Sequence, residues 1–209
     1  MEITALSQLD LNQSYTHLEY LSWRFQERVE LIMGKIFPMA AAPSTRHQQC
    51  SQALTFAFSK FFHGRACDIF HAPFDVFFLG KEGIADTVLQ PDLVVVCDRS
   101  KLKSKGCFGT PDLVVEIISP FSVSRDLHEK YFIYETFGVK EYWIVQPDSQ
   151  TVTVHILNEH GRYQALKTKT FTDRLESSIF PGLEIDLDDL FENLVSEDEV
   201  EYAGVLRRI

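Results

Sequence analysis

Two short segments of the sequence repeat one pattern, in which an acid stands at the entrance of an apolar run. They read Pro91-Asp92-Leu93-Val94-Val95 and Pro111-Asp112-Leu113-Val114-Val115-Glu116. Glu116 is unusual, because a carboxylate inside a buried strand is costly unless it is paired, protonated or bound to a metal. If Asp92 lies on a neighbouring strand, the two carboxylates converge near the centre of a sheet. Such a pair of hard oxygen ligands suits Mg²⁺ or Mn²⁺.

A second group of polar residues follows on the next predicted helix. Asp126, Lys130 and Tyr134 are spaced four residues apart, so they share one helix face. Because this helix directly follows the Glu116 strand, its polar face can reach the same place. Other interpretations remain open: Asp92 as the cap of a strand entrance, Glu116 in a structural ion pair, Lys130 as an exposed side chain, and Tyr134 as a core residue.

Hydrophobic periodicity and turn residues predict the elements that position these side chains. A first helix is predicted over THLEYLSWRFQE, a hairpin over ERVELIMGKIFPM, and a long amphipathic helix over PSTRHQQCSQALTFAFSKFF. Next come three extended segments, DIFHAPFDVFFL, VLQPDLVVVCD and TPDLVVEIIS, then a helix over SVSRDLHEKYFIYETFG and strands over EYWIVQP, TVTVHIL and GRYQALKTKT. This order predicts an α/β or α+β fold around one mixed sheet.

Length and composition indicate an ordinary globular protein. The chain has 209 residues, of which 45% are hydrophobic and 24% charged, which suffices for a stable core. The sequence has no uninterrupted apolar stretch of about 18 residues, and its first residues lack the basic and apolar regions of a signal peptide. We therefore expect a cytoplasmic protein without a membrane partner. The four cysteines are widely spaced and lack a CxxC pair, so we expect four reduced thiols rather than a disulfide or zinc framework.

The net charge of -10 is concentrated in one segment. Residues 173–201 hold eleven acids and one base, whereas the other 180 residues hold 19 acids and 19 bases. Because the negative charge lies in this segment, the net charge does not exclude a nucleic-acid partner for the rest of the chain. The 180 residues outside this segment contain one basic run, made up of Arg99, Lys101, Lys103 and Lys105. This run is either a solvated loop or a set of phosphate contacts.

The order of the polar residues resembles the PD-(D/E)xK phosphodiesterase superfamily. Its motif is Pro-Asp on one strand and Glu-x-Lys on the next; here Pro91-Asp92 precedes Glu116, but Ile118 stands where the lysine belongs. Some branches of the superfamily supply the lysine from the following helix, and Lys130 is the matching candidate. The segments ELIMGKI, APFDV, QPDLVVV, PDLVVEIISP, RDLHEKYFIYETFGVKEYWIVQP and SSIFPGLEIDL also resemble the Uma-type family of restriction endonucleases.

This resemblance implies a restriction-endonuclease-like fold, with a central mixed β-sheet flanked by helices. It covers about residues 26–191, which leaves an N-terminal helical extension at 1–25 and an acidic C-terminal tail at 192–209. Met33 and Lys35 stand where the family often has acids, so no role is expected of them.

The resemblance also implies metal-assisted hydrolysis of a phosphodiester. Asp92, Glu116 and the carbonyl of Ile117 would bind Mg²⁺, with Mn²⁺ as the other candidate ion. Lys130 would orient a water molecule or stabilise the charge that develops in the transition state. Four residues would support this site: Asp126, which would orient Lys130, and Glu30, His47 and Tyr134.

The expected partner is nucleic acid, with double-stranded DNA the first candidate. A homodimer is also expected, because enzymes that cut both strands commonly act as two-fold dimers. The aromatic residues of the first helix could form its interface or could pack on their own core. Two other functions remain open, a catalytically weak or inactive module that binds nucleic acid or a protein, and a hydrolase of a smaller phosphoester.

Overall fold

The computed structural model describes residues 2–39, 43–80, 82–118, 125–166, 168–170 and 172–195, with the side chains of 125–127 outside the description. The helices are α1 (His17–Tyr20), α2 (Thr45–Phe62), α3 (Arg125–Phe137) and α4 (Leu187–Phe191). The strands are β1 (Val29–Ile32), β2 (Lys35–Pro38), β3 (Asp68–His71), β4 (Val76–Phe78), β5 (Thr87–Leu89), β6 (Leu93–Val96), β7 (Leu102–Lys103), β8 (Gly106–Phe108), β9 (Leu113–Ile117), β10 (Glu141–Gln146), β11 (Thr151–Leu157), β12 (Tyr163–Ala165), β13 (Lys169–Thr170), β14 (Arg174–Glu176) and β15 (Glu184–Asp186). Within these ranges, no helix is both long enough and apolar enough to cross a lipid bilayer.

The central sheet has the strand order β12-β11-β10-β9-β6-β3, with β13 paired to β11. Strands β9 and β10 are parallel, and the other pairs are antiparallel, so the sheet is mixed as predicted. The apolar runs of β6 and β9 are buried on both faces, as expected of central strands. Val95 and Val115 face a core cluster that includes residues of α2, whereas Val94 and Val114 face one that includes residues of α3.

The two long helices cover opposite faces of this sheet. The Ser44 hydroxyl caps α2 by accepting a hydrogen bond from the backbone N–H of His47. Residues spaced four apart then form the buried face of α2, namely Cys50, Leu54, Phe58 and Phe62. On the other face, Ile133 and Tyr134 of α3 belong to the second cluster. This arrangement confirms the predicted mixed fold with a central sheet between helices.

The described residues form two large sheets where the sequence suggested one, and the second has the order β2-β1-β5-β4-β8-β7. Strands β14 and β15 pair separately as a two-stranded sheet. Two of the predicted extended segments each break into two strands, at Pro73 and at Pro91. Proline cannot donate a hydrogen bond to a sheet ladder, so a strand ends or turns where it occurs. As a result β3 and β6 join the central sheet, whereas β4 and β5 join the second one.

The predicted first helix is much shorter than expected. Only His17–Tyr20 is helical, and the chain then turns toward β1. The aromatic residues of this region, Tyr15, Tyr20, Trp23 and Phe25, pack in a third core cluster with residues of β1, β4 and β5. Packing on their own core, one of the two open interpretations, is therefore what the structure shows. The predicted division at residues 25 and 191 stays a prediction, and residues 196–209 of the expected tail lie outside the described chain.

The prediction of four reduced thiols is wrong for two of them. Cys67 and Cys97 form a disulfide, while Cys50 and Cys107 are free and buried. Cys67 precedes β3 and Cys97 follows β6, and these strands pair antiparallel with Asp68 opposite Val96. The strand pairing therefore brings together two cysteines that are 30 residues apart in sequence.

This bond generates the first prediction. Replacing both cysteines, Cys67→Ser with Cys97→Ser, should lower the free energy of unfolding by about 2–4 kcal/mol, because the cross-link restricts the unfolded chain. Urea denaturation with and without dithiothreitol measures the change. The wild-type protein should respond to the reductant and the double variant should not, and a wild-type midpoint unaffected by complete reduction would contradict the prediction.

Candidate active site

The antiparallel pairing of β6 with β9 places the two Pro-Asp segments at opposite ends of the strand pair. Leu93 lies opposite Val115, so Asp92 and Glu116 come to the same end. Asp92 Oδ2 accepts a hydrogen bond of 2.8 Å from the backbone N–H of Ile117. At the far end, Asp112 Oδ2 accepts the corresponding bond from Cys97. Oδ2 of Asp92 thus caps a strand, as one interpretation proposed. Oδ1 of Asp92 faces the other polar residues of the site.

Glu116 lies in a buried cluster with two residues of α3. Lys130 Nζ lies 3.0 Å from Glu116 Oε1, and the Tyr134 hydroxyl donates to the same oxygen over 2.5 Å. The side chains of Lys130 and Glu116 are only 6% and 7% exposed, so the interpretation of Lys130 as an exposed residue is wrong. The spacing of four residues between Lys130 and Tyr134 turns both toward Glu116. Asp126, one helix turn earlier, has its side chain outside the described part of the chain.

Glu30 joins this cluster from the second sheet. Its side chain is 8% exposed, and its Oε1 lies 3.1 Å from Lys130 Nζ. The same oxygen accepts a hydrogen bond of 3.0 Å from the backbone N–H of Gln90. The ammonium of Lys130 therefore lies between two carboxylates that come from different sheets.

His47 approaches the other acid from the first turn of α2. Its Nε2 lies 3.2 Å from Asp92 Oδ1, while its Nδ1 is buried without a hydrogen-bond partner among the described residues. Burial by itself lowers the pKa of His47. The hydrogen bond to Asp92 and the charges of Asp92 and Glu116, together with the carbonyl of Ile117, outweigh burial and raise that pKa overall.

The cluster contains more negative than positive groups in a water-poor setting. The acids are Asp92, Glu116 and Glu30. The bases are Lys130 and His47, and His47 is positive only when it is protonated. Burial raises the pKa of Glu116 to about 8; Lys130 opposes the shift, and the charges of Asp92 and Glu30 add to it. Burial therefore favours the protonated form of Glu116, as it also does for the buried Glu141.

Another buried acid shows what a purely structural carboxylate looks like here. Glu141 Oε1 accepts from the Trp143 indole, and its Oε2 accepts from the Ser177 hydroxyl and from the backbone N–H groups of Ser178 and Ile179. Neutral donors thus satisfy both of its oxygens, and the bonds fix the 177–179 segment to β10. Glu116 differs in having a charged partner and charged neighbours.

The structure divides the basic run between two places. Arg99 pairs with Asp68 at 2.7 Å, beyond the end of β6 that is remote from Asp92, and Lys101 Nζ donates to the carbonyl of Thr110. Lys103 and Lys105 lie in the β7–β8 hairpin, beside Gln90. Lys103 and Lys105 therefore line a cleft together with Gln90, whereas Arg99 and Lys101 do not.

Sequence reasoning missed Gln90, which connects several polar groups. Its side chain donates to Asp75 Oδ1 over 2.7 Å and accepts from the guanidinium of Arg28, while its backbone binds Glu30. The Tyr20 hydroxyl donates to Asp75 as well. The sequence signal was weak, since a glutamine before a proline has no chemistry of its own.

The pKa of Glu116 generates the second prediction. The folded protein holds this proton more tightly than the unfolded chain, so the contribution of Glu116 to stability decreases as the pH rises from about 4.5 towards 8. In metal-free buffer, Glu116→Gln should therefore gain stability relative to wild type as the pH rises from about 5 to 9. We expect a gain of several degrees in Tm, at about 2–4 °C per kcal/mol.

Glu129→Gln is the matched control, because Glu129 is an exposed acid on the same helix as Lys130. Its Tm difference from wild type should stay flat across the same pH range. A Tm difference between Glu116→Gln and wild type that stays constant with pH would show that folding does not raise the pKa of Glu116.

Comparison with known proteins shows which proteins this chain resembles. The model of the family Uma2, described as "Putative restriction endonuclease", matches residues 17–188. An uncharacterized protein of Synechocystis sp. (strain PCC 6803), slr1290, is 27% identical over 179 residues, which cover 84% of this chain and 90% of that protein.

A solved structure shares the fold. The crystal structure of a putative nuclease belonging to DUF820 from Anabaena variabilis superposes with a TM-score of 0.68 and 21% sequence identity, over 87% of this chain and 99% of that one. At that identity the likeness concerns the fold. Because the family match extends over most of the sequence, this chain belongs to the Uma2 family.

Proposed function

We propose that this protein is a metal-dependent endonuclease that hydrolyses phosphodiester bonds of double-stranded DNA. The observation that carries the proposal is the buried contact of Lys130 with Glu116 and Glu30, beside Asp92 and His47. The PD-(D/E)xK motif that the sequence resembles has a lysine two residues beyond the glutamate, where this chain has Ile118. Lys130 fills that position from a helix instead of a strand.

The donor set fits a hard divalent cation such as Mg²⁺ or Mn²⁺. Asp92, Glu116 and the Ile117 carbonyl offer oxygen atoms, which are the ligands that such ions prefer. Among the described residues, no three His, Cys, Asp or Glu side chains gather closely enough to hold an ion by themselves. Asp92 and Glu116 would therefore bind Mg²⁺ together with water and substrate phosphate, because proteins commonly bind this ion through only one or two carboxylates.

When bound, the metal ion would polarise the scissile phosphate and lower the pKa of a coordinated water. The remaining roles belong to side chains of this chain. Lys130 would orient the attacking water or stabilise the developing negative charge, in a site where burial strengthens that interaction. Glu30 and Tyr134 position Lys130 and Glu116 through the contacts already described. His47 would hold Asp92 through its Nε2, and Asp126 stays a proposed support for Lys130.

Two further parts of the proposal concern the state of the protein. We propose a homodimer in the cytoplasm, as expected of an enzyme that cuts both strands of an intracellular duplex. Since Tyr15 and Trp23 are buried in their own core, a different surface would have to form the dimer interface.

Nicking of supercoiled plasmid at low salt with Mg²⁺ or Mn²⁺ tests the proposal. Asp92→Ala and Lys130→Ala should each lower the nicking rate by about 100-fold or more, as removal of a group that stabilises transition-state charge does. Lys140→Ala is the matched control, because Lys140 is 63% exposed and pairs with Asp112, the counterpart of Asp92 at the far end of the strand pair. Its rate should stay close to that of wild type.

Two outcomes would contradict this mechanism. Nicking that needs no metal would remove the proposed role of the acidic pair, and normal nicking by Lys130→Ala would remove that of the lysine. If the folded wild-type protein neither nicks DNA nor binds metal, the inactive binding module becomes the better description.

Metal binding gives a separate prediction. Titration calorimetry with Mn²⁺ should show one site per chain, weakened at least about tenfold by Asp92→Asn or Glu116→Gln, because each change removes a charged oxygen ligand. Asp112→Asn is the control, since it removes the same charge from the equivalent motif at the other end of β9. Equal loss of binding in all three variants would argue against a site at Asp92 and Glu116.

A further inference from the structure

A groove adjoins the candidate site on the side of the second sheet. Its volume is about 500 Å³, in the range of ligand clefts. It is lined by Phe70, Pro73, Phe74, Asp75, Gln90 and the hairpin residues 103–106. Phe70 and Phe74 stack with ring centroids 4.1 Å apart and form part of an apolar wall.

The groove and the site share the segment 90–92. Gln90 lines the groove with its side chain, and its backbone N–H donates to Glu30 in the site. The backbone N–H of Ala72, next to Pro73 of the wall, donates to the carbonyl of Asp92 over 3.0 Å. The segment 90–92 therefore connects the groove lining with the candidate site.

The positive charge of the groove comes from the β7–β8 hairpin. Lys103 and Lys105 are exposed, and no salt bridge or side-chain hydrogen bond engages either of them within the described part of the chain. The one acid of the lining, Asp75, accepts hydrogen bonds from Gln90 and Tyr20. The two lysines are thus available to an anionic ligand, unlike Arg99 and Lys101 of the same run.

A close backbone approach fixes the hairpin at this place. The N–H of Cys107 donates to the Asp75 carbonyl over 2.9 Å. At Gly106, which has a φ of 139°, a Cβ atom would come 2.2 Å from that carbonyl oxygen. Only glycine permits the contact, so the position of the two lysines is built into the fold.

We propose that this groove holds the nucleic-acid strand on one side of the scissile phosphate, with Lys103 and Lys105 on its backbone phosphates and the apolar wall against its sugars. Such contacts position a strand without reading its sequence. The inference rests on the proposed nuclease function and extends it, since it assigns the path of the substrate. It also predicts that cleavage depends little on the sequence beside the cut.

Binding of a short fluorescein-labelled DNA duplex, followed by anisotropy in EDTA, tests the groove without cleavage. Lys103→Gln with Lys105→Gln should weaken binding most at low salt and reduce the magnitude of the slope of log K against log salt by about 1.8, which corresponds to two phosphate contacts. Between roughly 50 and 200 mM salt this variant should therefore lose about tenfold less affinity than the wild-type protein does. The control is Lys60→Gln with Lys140→Gln, which removes two exposed positive charges away from the groove. It should change the slope by less than half as much.

The outcomes separate this inference from the nuclease proposal. An equal change in both double variants, or no duplex binding by the folded wild-type protein, would overturn the groove assignment, whether or not plasmid is nicked. A slope that falls only in the Lys103 and Lys105 variant would support the groove. If the wild-type protein shows this salt dependence but does not nick DNA with either metal, the groove is supported as a binding site and the nuclease proposal fails.

Discussion

The ammonium group of Lys130 is held between two buried carboxylates that come from different sheets, and much of the site depends on this contact. Glu116 belongs to the central sheet and Glu30 to the second one, while Lys130 comes from the helix that covers the first. A buried charge without a partner is strongly destabilising, so the three elements have to meet at one place. The ion pairs therefore bind the layers together as well as ordering the side chains for chemistry.

The same cluster combines three acids with one lysine and one histidine, and this distinguishes it from an ordinary structural ion pair. Asp92 adds a third carboxylate, and Glu116 has its pKa raised to about 8 by burial and by its acidic neighbours. In Glu141 the chain also shows a buried acid whose oxygens are all met by neutral donors, at a site that only joins two segments. The proposed divalent cation would offset the negative charge that Asp92, Glu30 and an ionised Glu116 bring together.

Two similar Pro-Asp segments acquire different roles through their place in the sheet. Both aspartates cap the partner strand in the same way, through Ile117 and Cys97. Antiparallel pairing separates them by the length of the strands, so Asp92 meets His47 and Glu116, whereas Asp112 meets the exposed Lys140. The chemistry of a motif of this kind is decided by what the tertiary structure places at its end of the sheet.

The sequence by itself predicted the hairpin of β1 and β2, the long helix α2, the helix α3 and the residues of the cluster. Those features depend on local periodicity, on turn residues and on the cost of an acid within an apolar run. The tertiary structure decided the rest: the division into two sheets, the short first helix, the Cys67–Cys97 bond and the position of Lys103 and Lys105. These features come from strand pairing between residues far apart in sequence, which no local pattern specifies.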